Sequence, residues 1–151
     1  MQIASYFDYY NWTLDKQIKL FKDNELDYFI LRKVNGLGFT NYLNKLNEVE
    51  FKLKKIKVGF FDPLLAPIDF DYETNINNLK LAVKFAKRVK TKNIVILIKP
   101  FNNKTTTKEL KAYLKDILKI TKRLNVFIKL DNQNDMFIFH KIANEIKLRI
   151  I

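Results

Sequence analysis

The stretch LKLAVKFAKRVKTKNIVILI, residues 79–98, decides the fold class. With Ile76 just before it, Leu79, Val83, Ala86 and Val89 recur at helical spacing, which predicts a helix from about Asn75 with one apolar face. Asn93–Ile98 then runs through five branched apolar residues without alternation. Such a run fits a strand covered on both faces, as parallel strands are. Only Lys90-Thr91-Lys92 separates the two patterns, so the helix feeds directly into the strand.

Outward from this unit the same alternation repeats. Toward the N-terminus, Gln2–Phe7 reads as a strand, followed by a helix capped by Thr13 with Leu14, Ile18 and Phe21 inward. Tyr28–Val34 reads as the second strand, and Asn35-Gly36-Leu37-Gly38 as its turn. A helix capped by Thr40 with Leu43, Leu46 and Phe51 inward leads to the third strand, Ile56–Phe61. After it, Pro63 and Pro67 keep residues 62–69 irregular. Toward the C-terminus, Thr105-Thr106-Thr107 caps a helix burying Leu110, Leu114, Ile117 and Leu118. Val126–Leu130 is strand five, Met136–Ile146 a fifth helix and Leu148–Ile151 a sixth strand. The order is (βα)5β, a parallel α/β domain over residues 1–151. Two architectures satisfy it: a doubly wound open sheet, which closes at this length, and part of a (β/α)8 barrel, which needs about 250 residues.

Composition narrows the function. With no Cys and one His among 151 residues, thiolate metal sites, Cys nucleophiles and His clusters are excluded. His140 sits within the fifth-helix pattern and reads as a boundary residue of its packed face. Gly36-Leu37-Gly38 lacks the rest of either a dinucleotide or a P-loop fingerprint. No apolar run approaches the roughly 20 residues of a membrane span, and the N-terminus lacks a signal-peptide pattern, so a cytoplasmic protein is expected.

The net charge of +12 comes mostly from Lys, 24 of the 28 basic residues, and Lys, Asn, Ile and Phe fill 70 of 151 positions, the composition of an A/T-rich genome. Its distribution says more: residues 76–151 hold 18 basic and 5 acidic residues. Lys104, Lys108, Lys111, Lys115, Lys119 and Lys122 step by three or four along the fourth helix, and Lys80, Lys84 and Lys87 along the third. Merged, they would form a basic surface for nucleic acid or an acidic partner, gripping backbone charge rather than bases, since no aromatic interleaves the lysines.

The C-terminal strand ends of parallel α/β folds share one rim, where ligands bind. Here it would gather Asp8, Tyr9, Tyr10 and Trp12, then Arg32 and Lys33, Asp62, Lys99 and Asn102, and Asp131 and Asn132. Paired carboxylates with an intervening Lys can hold a cation or exchange protons with a sugar.

Four segments resemble the N-terminal part of the xylose isomerase-like TIM barrel superfamily, which includes sugar-phosphate isomerases and epimerases and apurinic-site endonucleases. They are Trp12-Thr13-Leu14-Asp15-Lys16-Gln17 after the first strand, Asn24–Arg32, Leu81–Arg88 and Ile128-Lys129-Leu130-Asp131-Asn132. The second-strand Glu of that superfamily falls on Ile30, and its strand-five metal-binding Glu falls on Asp131. The resemblance implies a partial barrel with a degenerate site: sugar phosphate as substrate class, Asp131 as metal-ligand position for a divalent ion, and Asp62 and Lys99 as helpers. The remaining ligands of that superfamily come from strands six to eight. An uncovered sixth strand would recruit a second copy or a partner chain.

Overall fold

A computed structural model describes residues 4–8, 11–65, 72–98 and 107–130. Five strands, β1 (Ala4–Ser5), β2 (Tyr28–Leu31), β3 (Val58–Phe61), β4 (Asn93–Ile98) and β5 (Asn125–Leu130), form one sheet in the order β1-β2-β3-β4-β5, with every pair parallel. Helices α1 (Leu14–Asp23), α2 (Leu46–Leu53), α3 (Tyr72–Arg88) and α4 (Thr107–Ile120) join them. This order decides between the two architectures. A doubly wound sheet reverses its direction of growth partway, whereas these strands advance one way throughout, which keeps the crossover helices on one face, as in a barrel wall. The expected fifth helix and sixth strand lie outside the described residues.

Burial confirms the one-sided arrangement. Phe29 and Leu31 of β2, Phe61 of β3, and Ile94 and Ile96 of β4 are buried against Leu14, Phe21, Val49, Leu53, Leu79, Phe85, Leu114 and Ile117 of the helices. Their alternates, Tyr28, Ile30, Phe60, Val95, Leu97 and Phe127, are half-buried on the opposite face. There the rings of Phe60 and Phe127, on strands separated by β4, meet edge-on at 5.0 Å, as side chains do on the concave side of a curling sheet. Gly59 is tightly enclosed: a Cβ there would lie 2.6 Å from Tyr28 Cβ. Its carbonyl accepts Thr91 Oγ1 at 3.0 Å and Asn93 Nδ2 at 2.7 Å, which locks the α3–β4 turn to β3.

The helix-to-strand alternation follows the sequence closely, and the differences have local causes. Thr13 caps α1 through Oγ1, which accepts the Lys16 N–H at 3.3 Å, but Gln17 rather than Ile18 joins Leu14 and Phe21 in the buried set. Strand β2 stops at Leu31 instead of Val34, because Val34 and Leu37 pair across the Asn35-Gly36 turn. The Thr40-capped helix is replaced by two 3-10 turns, Phe39–Asn41 and Leu43–Lys45, without a side-chain cap. Helix α2 starts only at Leu46. Its buried residues are Val49 and Leu53, and Phe51, two residues or about 200° around from Val49, is 77% exposed rather than inward.

Candidate functional site

At the C-terminal ends of β1, β2 and β3 stand Asp8, Arg32 and Asp62. The side chain of Asp8 is only 2% exposed, and both its oxygens accept from Arg32, Nε and one terminal nitrogen each at 2.6 Å, while the Lys33 N–H adds a third bond at 3.2 Å. Tyr6 stacks on the guanidinium, with 4.2 Å between the guanidinium carbon and the ring centroid. Burial raises the proton affinity of Asp8, but the hydrogen bonds and charge of Arg32, aided by the Lys33 N–H, outweigh it and hold the carboxyl below its ordinary value. The same pairing raises Arg32. This is a closed, bidentate pair that stiffens the rim.

Asp62 is different in kind. It is 2% exposed, its N–H extends the ladder to Leu31 O at 2.8 Å, and one carboxylate oxygen accepts the Leu64 N–H at 3.1 Å. Leu64 adopts a left-handed backbone, φ 49°, to present that N–H. Left-handed non-glycine residues are strained, and such strain gathers at functional sites. Burial pushes Asp62 above its ordinary value. The Leu64 N–H and the charges of Arg32 and Lys129 oppose the rise, and Asp8 adds to it. A desolvated carboxyl with cations in reach is suited to taking up and returning a proton.

The loops around these groups are braced from below. Gln17 Nε2 donates to Trp12 O and Lys33 O, each at 3.0 Å, tying the segment after β1 to the end of β2. Asn35 Oδ1 accepts the Leu14 N–H at 3.0 Å and so caps α1 from the neighbouring loop. Gly36, at φ 78°, leaves no room for a Cβ, which would meet Asn11 Oδ1 at 2.7 Å.

Of the residues singled out from sequence, Asp8, Arg32 and Asp62 come together, and Lys33 joins through its backbone. Lys99, Asp131, Asn102 and Asn132 lie outside the described residues, as do Tyr9, Tyr10 and His140. On the outer helical face α3 packs on α4, where the Tyr72 hydroxyl donates to Asp116. Lys80 and Lys119 line one cleft there with Ile76, Asp116 and Ile120. Lys84, Lys87, Lys108, Lys115 and Lys122 are exposed, Lys111 is half-buried, and Lys104 lies outside the described residues. Tyr6 and Gln17 belong to the site or its support without having been signalled. Tyr6 falls within an ordinary strand pattern, and a buried Gln on a helix face breaks the apolar periodicity that marks inward positions.

No protein family model and no curated protein matches the sequence. Among solved structures, the chain superimposes on the apo form of 3-keto-D-glucoside 4-epimerase, YcjR, from E. coli, with a TM-score of 0.71 at 13% identity, covering 98% of this chain and 64% of that one. It superimposes on the IolI protein with a binding zinc atom with a TM-score of 0.66 at 14% identity, covering 91% of this chain and 55% of that one. The chain thus spans about three-fifths of the length of these structures. The zinc in the second raises the question of a cation here. Both oxygens of Asp8 are taken by Arg32, and no group of three His, Cys, Asp or Glu able to hold a metal occurs among the described residues, which therefore do not fit one by themselves. The one-directional strand order and these superpositions agree: the fold is that of a TIM barrel over the part of the barrel that the chain spans.

Proposed function

We propose that the chain is a degenerate or truncated member of the sugar isomerase and epimerase type, binding a sugar or sugar phosphate at the β1–β3 rim, with Asp62 as the proton-exchanging group. The observation that carries this reading is Asp62 itself: a carboxyl 2% exposed at a strand's C-terminal end and raised by desolvation. Beside it, the Asp8–Arg32 pair is too well satisfied to react. In the reaction, the Asp62 carboxylate removes a proton from the carbon next to a sugar carbonyl. The electron pair moves onto the carbonyl oxygen, which takes the proton of the adjacent hydroxyl, and Asp62 returns its own proton on the same face to the former carbonyl carbon, so that the carbonyl shifts by one carbon. Lys129, whose charge reaches Asp62, favours the developing enolate. Support from known proteins is one of kind, since one structure of this fold is named as a sugar epimerase.

Lys99 and Asp131 keep their proposed roles as helper and divalent-metal ligand. Thermal denaturation with millimolar Mn²⁺, Mg²⁺ or Zn²⁺ tests the metal: a raised midpoint that Asp131→Ala abolishes supports it, and no shift with any of the three counts against it. Binding itself is tested by titrating ketoses, keto-glycosides and sugar phosphates into ¹⁵N-labelled protein. Shifts at the Asp8, Arg32 and Leu64 amides support the site, and their absence across the panel removes it. A cytoplasmic setting accords with the finding that no described helix is long and apolar enough to cross a membrane.

A second reading, a non-catalytic interaction or assembly subunit, is favoured by the half-buried aromatic residues Tyr28, Phe60 and Phe127 on the concave face. A partner chain or second copy at the strand-six edge would extend that face. Light scattering at micromolar concentration checks it: a dimer mass that Ile150→Lys converts to monomer supports assembly, and a monomeric wild type opposes it.

A further inference from the structure

Helices α3 and α4 pack side by side on the outer face of the sheet, and their lysines turn toward one another. At about 100° per residue, Lys108, Lys115 and Lys119 fall within about 40° of each other around α4, opposite the fully buried Ile117. Lys80, Lys84 and Lys87 span about 60° around α3. Arg88, about 100° further round than Lys87, faces α2, where its Nε donates to Glu50 at 2.7 Å. The three lysines therefore stand on the α4 side of α3, and Lys80 and Lys119 line one cleft. Two stripes form a single surface.

This surface lacks counter-charge. On the other helices exposed charges pair, Lys19 with Asp23, Lys52 with Asp15 and Glu48, and Arg88 with Glu50. Lys80, Lys84, Lys87, Lys108, Lys115 and Lys119 form no ion pair among the described residues, and the acid within the cleft, Asp116, is engaged by the Tyr72 hydroxyl. A lysine-rich genome does not explain the placement: residues 1–75 hold 10 basic and 11 acidic residues, against 18 and 5 in residues 76–151. Like charges one turn apart, such as Lys80 with Lys84 and Lys115 with Lys119, destabilise a helix, so the array is kept against a cost that a bound polyanion would remove.

We propose that the α3–α4 face binds the phosphate backbone of a nucleic-acid duplex. The row from Lys108 to Lys119 extends about 16 Å, the rise of roughly five base pairs, and meets a backbone whose charge is as regular as its own. A protein partner fits less well, since lysine is depleted at the centre of protein interfaces. A single strand would need rings on which to stack its bases. Tyr72, the exposed ring beside the cleft, is held edge-on by Tyr113 at 5.7 Å and through its hydroxyl by Asp116. Binding is independent of base sequence and of the Asp62 rim, which lies at the strand ends.

Fluorescence anisotropy with labelled DNA and RNA duplexes of about 20 base pairs tests this across a range of salt. The expected result is a micromolar Kd at low salt and a slope of log K against log salt of about −4, from four or five lysines that each displace counterions. The triple variant Lys84→Gln, Lys115→Gln, Lys119→Gln should bind at least tenfold more weakly, with a slope shallower by about 3. A control triple, Lys22→Gln, Lys45→Gln, Lys55→Gln, removes the same charge from exposed positions elsewhere and should change binding less than about threefold. Equal weakening by both triples would make binding a matter of net charge and overturn the proposal. So would no binding to either duplex, or equal affinity for a single strand or for polyglutamate of matched charge. If the α3–α4 triple fails to fold, ¹⁵N amide shifts of the wild type on adding duplex decide: shifts centred on α3 and α4 support the surface, and shifts centred elsewhere overturn it.

Discussion

Asp8 and Asp62 are two carboxyls on one rim with opposite environments, and pH separates them. Asp62 has its folded pKa raised above the ordinary 3.8, so its protonated form is the better folded one. The stability linked to that proton is fully present below 3.8 and lost as pH rises through the raised value. At pH 7 Asp62→Asn therefore unfolds at a higher temperature than the wild type, and the difference shrinks as pH falls toward 4. Asp8 has its folded pKa lowered from the same 3.8, so its contribution is present above 3.8 and lost as pH falls through the lowered value. Thermal melts from pH 2 to 8 should show both windows. Asp8→Ala leaves the Arg32 guanidinium without its partner. The expected loss is about 2–3 kcal/mol in urea denaturation, below the roughly 3–5 of a fully enclosed pair, because the Arg32 side chain keeps 20% exposure. From sequence these two aspartates look alike. Each follows an apolar strand, and only the placement of Arg32 two residues past Ile30 brings a guanidinium to one and leaves the other to desolvation.

Among the elements, β3 and the turn after β2 carry the least tolerance. Gly59 lies in an interior strand with Tyr28 Cβ 2.6 Å from where its own Cβ would be, so Gly59→Ala forces β2 and β3 apart. The expected cost is about 2–3 kcal/mol, toward the upper end of overpacking penalties, measured by urea denaturation. The Asn35-Gly36 turn was legible, since that dipeptide signals a turn wherever it interrupts apolar runs. The reason for Gly59 was not, because the crowding comes from Tyr28 on a different strand. Helix α2 was legible as a helix but not in phase: its start moved from Thr40 to Leu46 when residues 39–45 wound as 3-10 turns, and Phe51 rotated outward. Helix α3 and strand β4 matched their pattern because both are long and strongly periodic.

For the molecule as a whole, alternation of strand and helix reveals a parallel sheet but not where each strand is inserted. Local periodicity is the same in a doubly wound sheet and a barrel wall. The order β1 to β5 without reversal, which comes from packing between distant segments, settles it. The site was legible to the extent that strand ends share a rim, so Asp8, Arg32 and Asp62 could be grouped in advance. What escaped was the support beneath the rim, where Gln17 is a polar group inside an apolar pattern and owes its role to the two loops it ties together. The central claim, that this rim moves a proton on a sugar through Asp62, is tested most directly by solvent exchange. The protein is incubated in D₂O with a panel of ketoses, keto-glycosides and their phosphates, and deuterium at the carbon beside the carbonyl is read by ¹H NMR. The account predicts incorporation with the wild type that falls at least a hundredfold in Asp62→Asn, in line with the roughly 10²–10⁴ that a positioned acid–base group contributes. No incorporation with any sugar, or incorporation that Asp62→Asn leaves unchanged, would contradict it.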